Sequence, residues 1–136
     1  MRFEWDASLE TGDERIDRQH KDLYAIANDL RAAVAGGEAM ALAPELAQEL
    51  VEYATSHFAD EERLMRMCGY PEHEALRHRR EHADLARRAR KLADAYRRGE
   101  CSTALPLGTF VIEWLGGHIR RSDGHLIDFA QANGCE

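Results

Sequence analysis

Seven side chains are of a kind, and at a spacing, that could hold metal: His20, His57, Glu61, His78, His82, His118 and Asp123. His57 and Glu61 are four residues apart, and so are His78 and His82. One α-helical turn separates such pairs, so each pair projects from a single helix face. Imidazole nitrogens and carboxylate oxygens are both metal donors. Five imidazoles and two carboxylates exceed the needs of one ion, and they suit two ions bridged by the carboxylates.

A lone histidine on an apolar helix face is ordinarily a core residue with one hydrogen bond. Here every inner stripe carries at least one. Burying so many imidazoles and two carboxylates without partners would cost several kcal/mol per charged group. A core that only had to pack would use Leu or Ala, so the pattern is read as a metal site. No cysteine stands near it in sequence, which argues against structural zinc. A dinuclear centre in a helical bundle points to iron or manganese, although the carboxylate-rich Glu-x-x-His motif of many such bundles is missing here.

Four helices must position these residues. The first is expected from about Ile16 to Val34, with Ile16, His20, Leu23, Ala27 and Leu30 on one stripe and Gly36-Gly37 ending it. Pro44 suits the first turn of the second, whose inner stripe reads Leu46, Leu50, Tyr53, Ala54, His57, Glu61 and Leu64 before Cys68-Gly69-Tyr70-Pro71 breaks it. The third has the clearest period: Ala75, His78, His82, Leu85, Ala89, Leu92 and Tyr96, closed by Arg98-Gly99-Glu100. Pro106 opens the fourth, with Leu107, Val111, Trp114, Leu115 and His118 facing in, a break at Gly124, and a short last turn from His125 to Ala132. The first sixteen residues read as an extended arm anchored by Phe3, Trp5 and Leu9. No segment reads as a strand. The fold class is therefore all-α: an up-down-up-down four-helix bundle with an N-terminal extended arm, spanning residues 1–136 as a single domain.

The chain has 136 residues, a net charge of −7 and 32% charged residues. The acidic balance argues against a nucleic-acid partner. The basic run from Arg77 to Arg90 interleaves with His78, His82, Leu85 and Ala89 and reads as a solvated helix face. There is no long apolar run for a membrane, and the charged opening does not read as a signal peptide, so a cytoplasmic protein is expected. Cys68, Cys101 and Cys135 form no Cys-x-x-Cys pair and read as free thiols of a reducing compartment, with no part in the site.

Asp17-Arg18-Gln19-His20, His57-Phe58-Ala59-Asp60-Glu61-Glu62, Gly69-Tyr70-Pro71, His78-Arg79-Arg80-Glu81-His82 and Trp114-Leu115-Gly116-Gly117-His118 ending at Asp123 together resemble the bacterial branch of the hemerythrin family. The pattern is a lone His, His-x-x-x-Glu, His-x-x-x-His and His-x-x-x-x-Asp, in that order from Trp5 to Asp123. The resemblance implies a non-haem di-iron centre. One iron would be held by His78, His82 and His118, and the other by His20 and His57. Glu61 and Asp123 would bridge them with an oxo or hydroxo ion. The iron with two histidines would keep a position open for O2. Two ferrous ions are then nearly neutralised by two carboxylates and a hydroxide, and neutral imidazoles give less drive toward net oxidation than carboxylates would. Reversible O2 binding for storage, delivery or sensing is therefore expected, and no enzymatic activity. The alternatives on the same ligand set are a di-iron peroxidase or nitric oxide reductase, for which Tyr24 or Tyr53 could move a proton, and iron storage.

The chain departs from the family pattern in two places. The segment between Tyr70 and His78 is slightly long and contains His73, but His78 keeps the ligand assignment because it shares a face with His82. Asp13 and Arg15 make the arm more polar than the pattern suggests. His125 matches no ligand position and is expected to be exposed. Trp114 and Ile119 are expected to line the O2 pocket, with Leu23, Tyr24 and Phe58 nearby, while Glu113 or backbone carbonyls could hold the outer imidazole nitrogens. His118 and Asp123 present a geometric difficulty. Five residues carry a regular helix about 140° past a full turn, so both can point inward only if the helix widens or ends between Ile119 and Gly124.

Overall fold

Asp13 begins the first helix by chemistry, not by apolar pattern. Its carboxylate accepts from the Ile16 amide at 2.9 Å, an N-cap that satisfies a donor the helix cannot. In a computed structural model that describes residues 4–35, 41–99 and 113–135, four helices follow. They are α1 (Glu14–Ala35), α2 (Ala43–Cys68), α3 (Glu72–Arg97) and α4, which spans 113–132 within the described residues. Phe3, Gly36-Gly37, Glu100, Cys101, Pro106, Leu107 and Val111 lie outside those residues.

Cross-helix bonds give the directions. Along α1, Arg15, Gln19 and Asp22 meet Asp60, His57 and Tyr53 in turn, so numbers rise on one helix as they fall on the other. The α2–α3 pairs Gln48–Arg97 and Glu62–His82 run oppositely too, as do the α3–α4 pairs Glu74–His125 and Glu81–His118. The bundle is up-down-up-down, as the sequence leads one to expect.

α1 buries Ile16, His20, Leu23, Ala27 and Leu30, and α3 buries its whole expected stripe. α2 differs. Leu46, Tyr53 and Leu64 are only half-buried, while Ala43, Ala47, Val51, Phe58 and Met65 are buried beside Leu50, Ala54, His57 and Glu61. α2 packs against both α1 and α3, so it hides a wider face than a single stripe. Its end is set by Gly69, at φ +64, a left-handed position that costs glycine little.

Gly124 does not break α4. Its backbone is helical (φ −58, ψ −43) and an α-helix runs on from Gly124 to Ala132. The departure from α geometry comes just before it. Ile119–Asp123 is a π-helical segment, and the Gly124 amide donates to the Ile119 carbonyl five residues back. At Gly116, a Cβ would lie 2.8 Å from the Tyr24 hydroxyl, so a larger residue here would push the tyrosine's tip aside.

The arm is a short 3-10 turn, Ala7–Leu9, flanked by non-helical backbone. It is held by three kinds of contact. Leu9 is buried in the core cluster around Leu23, Phe58 and Ile119. Trp5 meets the Tyr24 ring edge-on at 5.5 Å. Arg120 reaches Ser8 at 2.8 Å and Asp6 at 3.4 Å. The polar residues fit this arrangement: Asp13 caps α1, and Arg15 pairs with Asp60 at 3.0 Å. Around the connection between α2 and α3, Met65, Tyr70, Ala75 and Leu126 form a separate cluster. Cys68 and Cys135 are free and only partly buried there; burial, with Cys135 beside it, pushes the Cys68 thiol up to about 11. Among the described residues no helix is long and apolar enough to cross a membrane.

Candidate metal centre

His20 sits about one and a half turns into α1, His57 and Glu61 in the second half of α2, His78 and His82 in the first half of α3. Antiparallel packing therefore brings these helix parts to one level. The α4 ligands join them through the π segment, whose wider turn returns Asp123 to the face His118 occupies. All seven candidate ligands are buried, with 0–3% of each residue exposed.

Their donor atoms converge as two overlapping sets. Glu61, His78, His82, His118 and Asp123 form one; His20, His57, Glu61 and Asp123 form the other, with donor atoms in each within 4.8 Å of one another. The carboxylates belong to both. Asp123 Oδ1 lies 2.8 Å from His78 Nε2 and 2.9 Å from His118 Nε2, while Oδ2 lies 2.8 Å from His20 Nε2. Glu61 Oε1 lies 3.1 Å from His57 Nε2 and 3.2 Å from His82 Nε2. His20 Nε2 and His57 Nε2 are 3.0 Å apart. Donors at right angles around an ion, each about 2.1 Å from it, are ~3.0 Å from one another. The spacings match that requirement.

Hydrogen bonding points the same way. Six buried side-chain atoms among the described residues make no properly directed hydrogen bond, even where another donor lies about 3 Å away: His20 Nδ1, both Glu61 oxygens, His82 Nε2, His118 Nε2 and Asp123 Oδ2. Every one belongs to the seven candidate ligands, five of them are inward donor atoms, and buried polar atoms are rarely left so. The outer nitrogens of three imidazoles are satisfied. His57 Nδ1 donates to Gln19 Oε1 at 2.6 Å, His82 Nδ1 to Glu62 Oε2 at 2.9 Å and His118 Nδ1 to Glu81 Oε1 at 2.7 Å. A proton held on Nδ1 turns the Nε2 lone pair inward. His57 thus turns its Nε2 toward His20 Nε2, 3.0 Å away, where a cation could join the two.

Without a cation the centre is electrostatically uneven. Burial pushes the Glu61 carboxyl well above its usual range, and the Asp123 charge adds to this. Burial would raise Asp123 too, but the neighbouring His118 charge holds it well below. For His118 burial works downward and is overcome by Asp123, leaving it raised to about 10. Burial, then the His78 and His118 charges, drops His82 to about 2.

Glu81 and Glu62 were not among the residues expected to hold the imidazoles, nor was Gln19; Glu113 was, and it is exposed. Each true partner is the chain neighbour of a ligand: Gln19 of His20, Glu62 of Glu61, Glu81 of His82. That adjacency was the available signal, because a residue one position from an inward ligand lies on the flank that meets the next helix. Trp114 stacks on His118 at 4.9 Å and 13°, and Phe58 on His82 at 3.9 Å and 9°. Ile119 is buried among Leu23, Tyr24, Phe58 and Leu115. His73 is exposed, and so is His125, which pairs with Glu74 at 3.0 Å.

A helical bundle with this buried His, Glu and Asp cluster is a metal-binding protein of the type that carries its ions between four helices. Residues 11–130 match the model of the hemerythrin HHE cation binding domain, and the chain belongs to the hemerythrin family. It is 37% identical over 124 residues to a protein named bacteriohemerythrin from Pseudomonas aeruginosa strain PAO1, covering 91% of this chain and 78% of that one. A bacteriohemerythrin from Stenotrophomonas maltophilia is 33% identical over 129 residues, covering 95% and 82%. Among solved structures, one described as crystal structures of a leucine-to-phenylalanine mutant superposes with a TM-score of 0.79 at 27% identity, over 90% of this chain and 92% of that one.

Proposed function

We propose that this chain holds two iron ions and binds O2 reversibly, as a store, carrier or sensor in the cytoplasm and not as an enzyme. The observation that carries the paired-ion reading is the division of Asp123, one oxygen facing His78 and His118 and the other facing His20. Asp123 and Glu61 would bridge, with an oxo or hydroxo ion. His78, His82 and His118 would hold one iron, and His20 and His57 the other. When bound, the di-iron pair supplies redox capacity and, on the side with fewer protein donors, a position open to O2.

The chain's own residues favour binding over turnover. Leu23, Phe58 and Ile119 keep the surroundings apolar and limit water. The Tyr53 hydroxyl donates to Asp22 at 2.7 Å, and burial with that bond pushes it up to about 12; burial also raises Tyr24. Neither tyrosine is a ready proton donor. The relatives named bacteriohemerythrin support the same reading.

Anaerobic titration of the iron-loaded, reduced protein should show uptake of one O2 per iron pair, with a visible charge-transfer band that fades when the gas is removed. His57→Ala should abolish the band; His73→Ala and His125→Ala should leave it. Rapid multiple turnover of peroxide or nitric oxide, with no recoverable oxygenated form, would move the protein to the enzyme class.

A further inference from the structure

The two sides of the centre differ in what backs their imidazoles. On the three-histidine side, His82 and His118 each donate to a carboxylate, Glu62 at 2.9 Å and Glu81 at 2.7 Å. Glu81 also accepts from Ser122 Oγ, at 2.5 Å, inside the π segment. On the two-histidine side, His57 donates to a neutral amide, Gln19, at 2.6 Å, and His20 Nδ1 is buried without a partner. The carboxylate behind Gln19 is Asp60, one hydrogen bond further out at 2.9 Å. Asp60 is itself paired with Arg15 at 3.0 Å and Arg63 at 3.4 Å. Charge on that side is therefore both distant and neutralised.

A carboxylate accepting an imidazole Nδ1–H draws the proton outward and makes Nε2 a stronger donor to whatever it ligates, whereas an amide does so less. We infer that Glu62 and Glu81 are positioning residues that make the three-histidine side the more electron-rich half of the centre and leave the half that faces O2 with weaker donors. Glu81 has a second task. By holding His118 and Ser122 at once it fixes the π turn on which Asp123 reaches the centre. Both carboxylates are partly exposed, 27% for Glu62 and 31% for Glu81, so water screens them and the effect is graded rather than all-or-none.

The inference rests on the paired-iron reading, and the test separates the two. Glu62→Gln and Glu81→Gln keep an acceptor oxygen and remove the charge; Gln19→Glu adds a charge behind His57. Iron content and midpoint potentials are measured on purified holoprotein by mediated spectroelectrochemistry. Wild type should hold two irons per chain. Each Glu→Gln change should make the first oxidation about tenfold less favourable, a shift of about 59 mV for one electron. Gln19→Glu should move a potential the opposite way. A role in shape alone predicts no opposed shifts. Two irons in wild type with unmoved potentials in Glu62→Gln and Gln19→Glu would overturn the inference and leave the reading standing. A wild type that holds one ion would overturn the reading itself. Should Glu81→Gln fail to load iron, Glu62→Gln and Gln19→Glu still decide by their opposite signs.

Discussion

Around Leu30 and Leu92, Ala43, Ala47, Ala93, Ala95 and Tyr96 form a cluster of buried, mostly apolar side chains among the described residues. Around Glu61 and Asp123 the same α1, α2 and α3, joined by α4, bury five imidazoles and two carboxylates, with six polar atoms left unpartnered. The first region is held by apolar contact. The second is complete only when something positive occupies it. Apolar packing in the far region and in the clusters above and below the ligands holds the helices in register. That register lets the centre stay open and preformed instead of collapsing. Stability and metal affinity are therefore housed in different parts of one bundle, and each can be altered while the other is watched.

The largest expected effect is metal removal. Stripping iron with a chelator should lower the melting temperature by ten degrees or so, on the order of several kcal/mol, because an ion bound only by the folded state stabilises it by mass action. The loss should fall on the ligand half: hydrogen exchange should quicken around His57 and His118 far more than around Leu92. Equal melting of the two forms would erase the distinction between the regions.

Next in size is Leu92→Ala. Leu92 is fully buried, and its truncation should cost about 2–5 kcal/mol in urea unfolding of the metal-free and metal-loaded forms alike. Iron content and the visible spectrum should be unchanged. A shifted spectrum would mean that the regions are mechanically coupled.

The smallest effect belongs to the joint between arm and bundle. Asp17 is buried and accepts from the Thr11 amide at 2.8 Å, the Thr11 hydroxyl at 2.7 Å and the Gly12 amide at 3.3 Å. Burial opposes its ionisation, but these bonds win and hold the carboxyl below its usual 3.8. Its contribution is thus present above about pH 4 and lost as pH falls through the lowered value. Asp17→Ala should cost about 1–3 kcal/mol near neutral pH, and the gap between variant and wild type should narrow in acid. A gap constant from neutral pH to pH 2 would contradict the assignment.

Six of the seven candidate ligands stand out in the sequence because a helix repeats every 3.6 residues: a polar residue falling on an apolar stripe must be buried, whatever the helix packs against; Asp123, off that stripe, enters through the family resemblance. The need for a widened turn was legible for the same reason, since the five-residue gap between His118 and Asp123 has no inward solution on a straight α-helix. Where the stripe is not the whole story, sequence misled. α2 lies against two neighbours and buries Val51, Phe58 and Met65 beyond its expected face, and the π turn lets α4 run through Gly124 instead of stopping there.

Three things only the tertiary structure decided. They are which oxygen of Asp123 meets which histidines, that Gln19, Glu62 and Glu81 rather than Glu113 back the imidazoles, and that Asp60 is neutralised by Arg15 and Arg63. Each depends on how far one helix is turned and slid against the next. Periodicity determines which face of a helix is inside, but rotation and register between helices come from packing many side chains together, and no single stripe contains them.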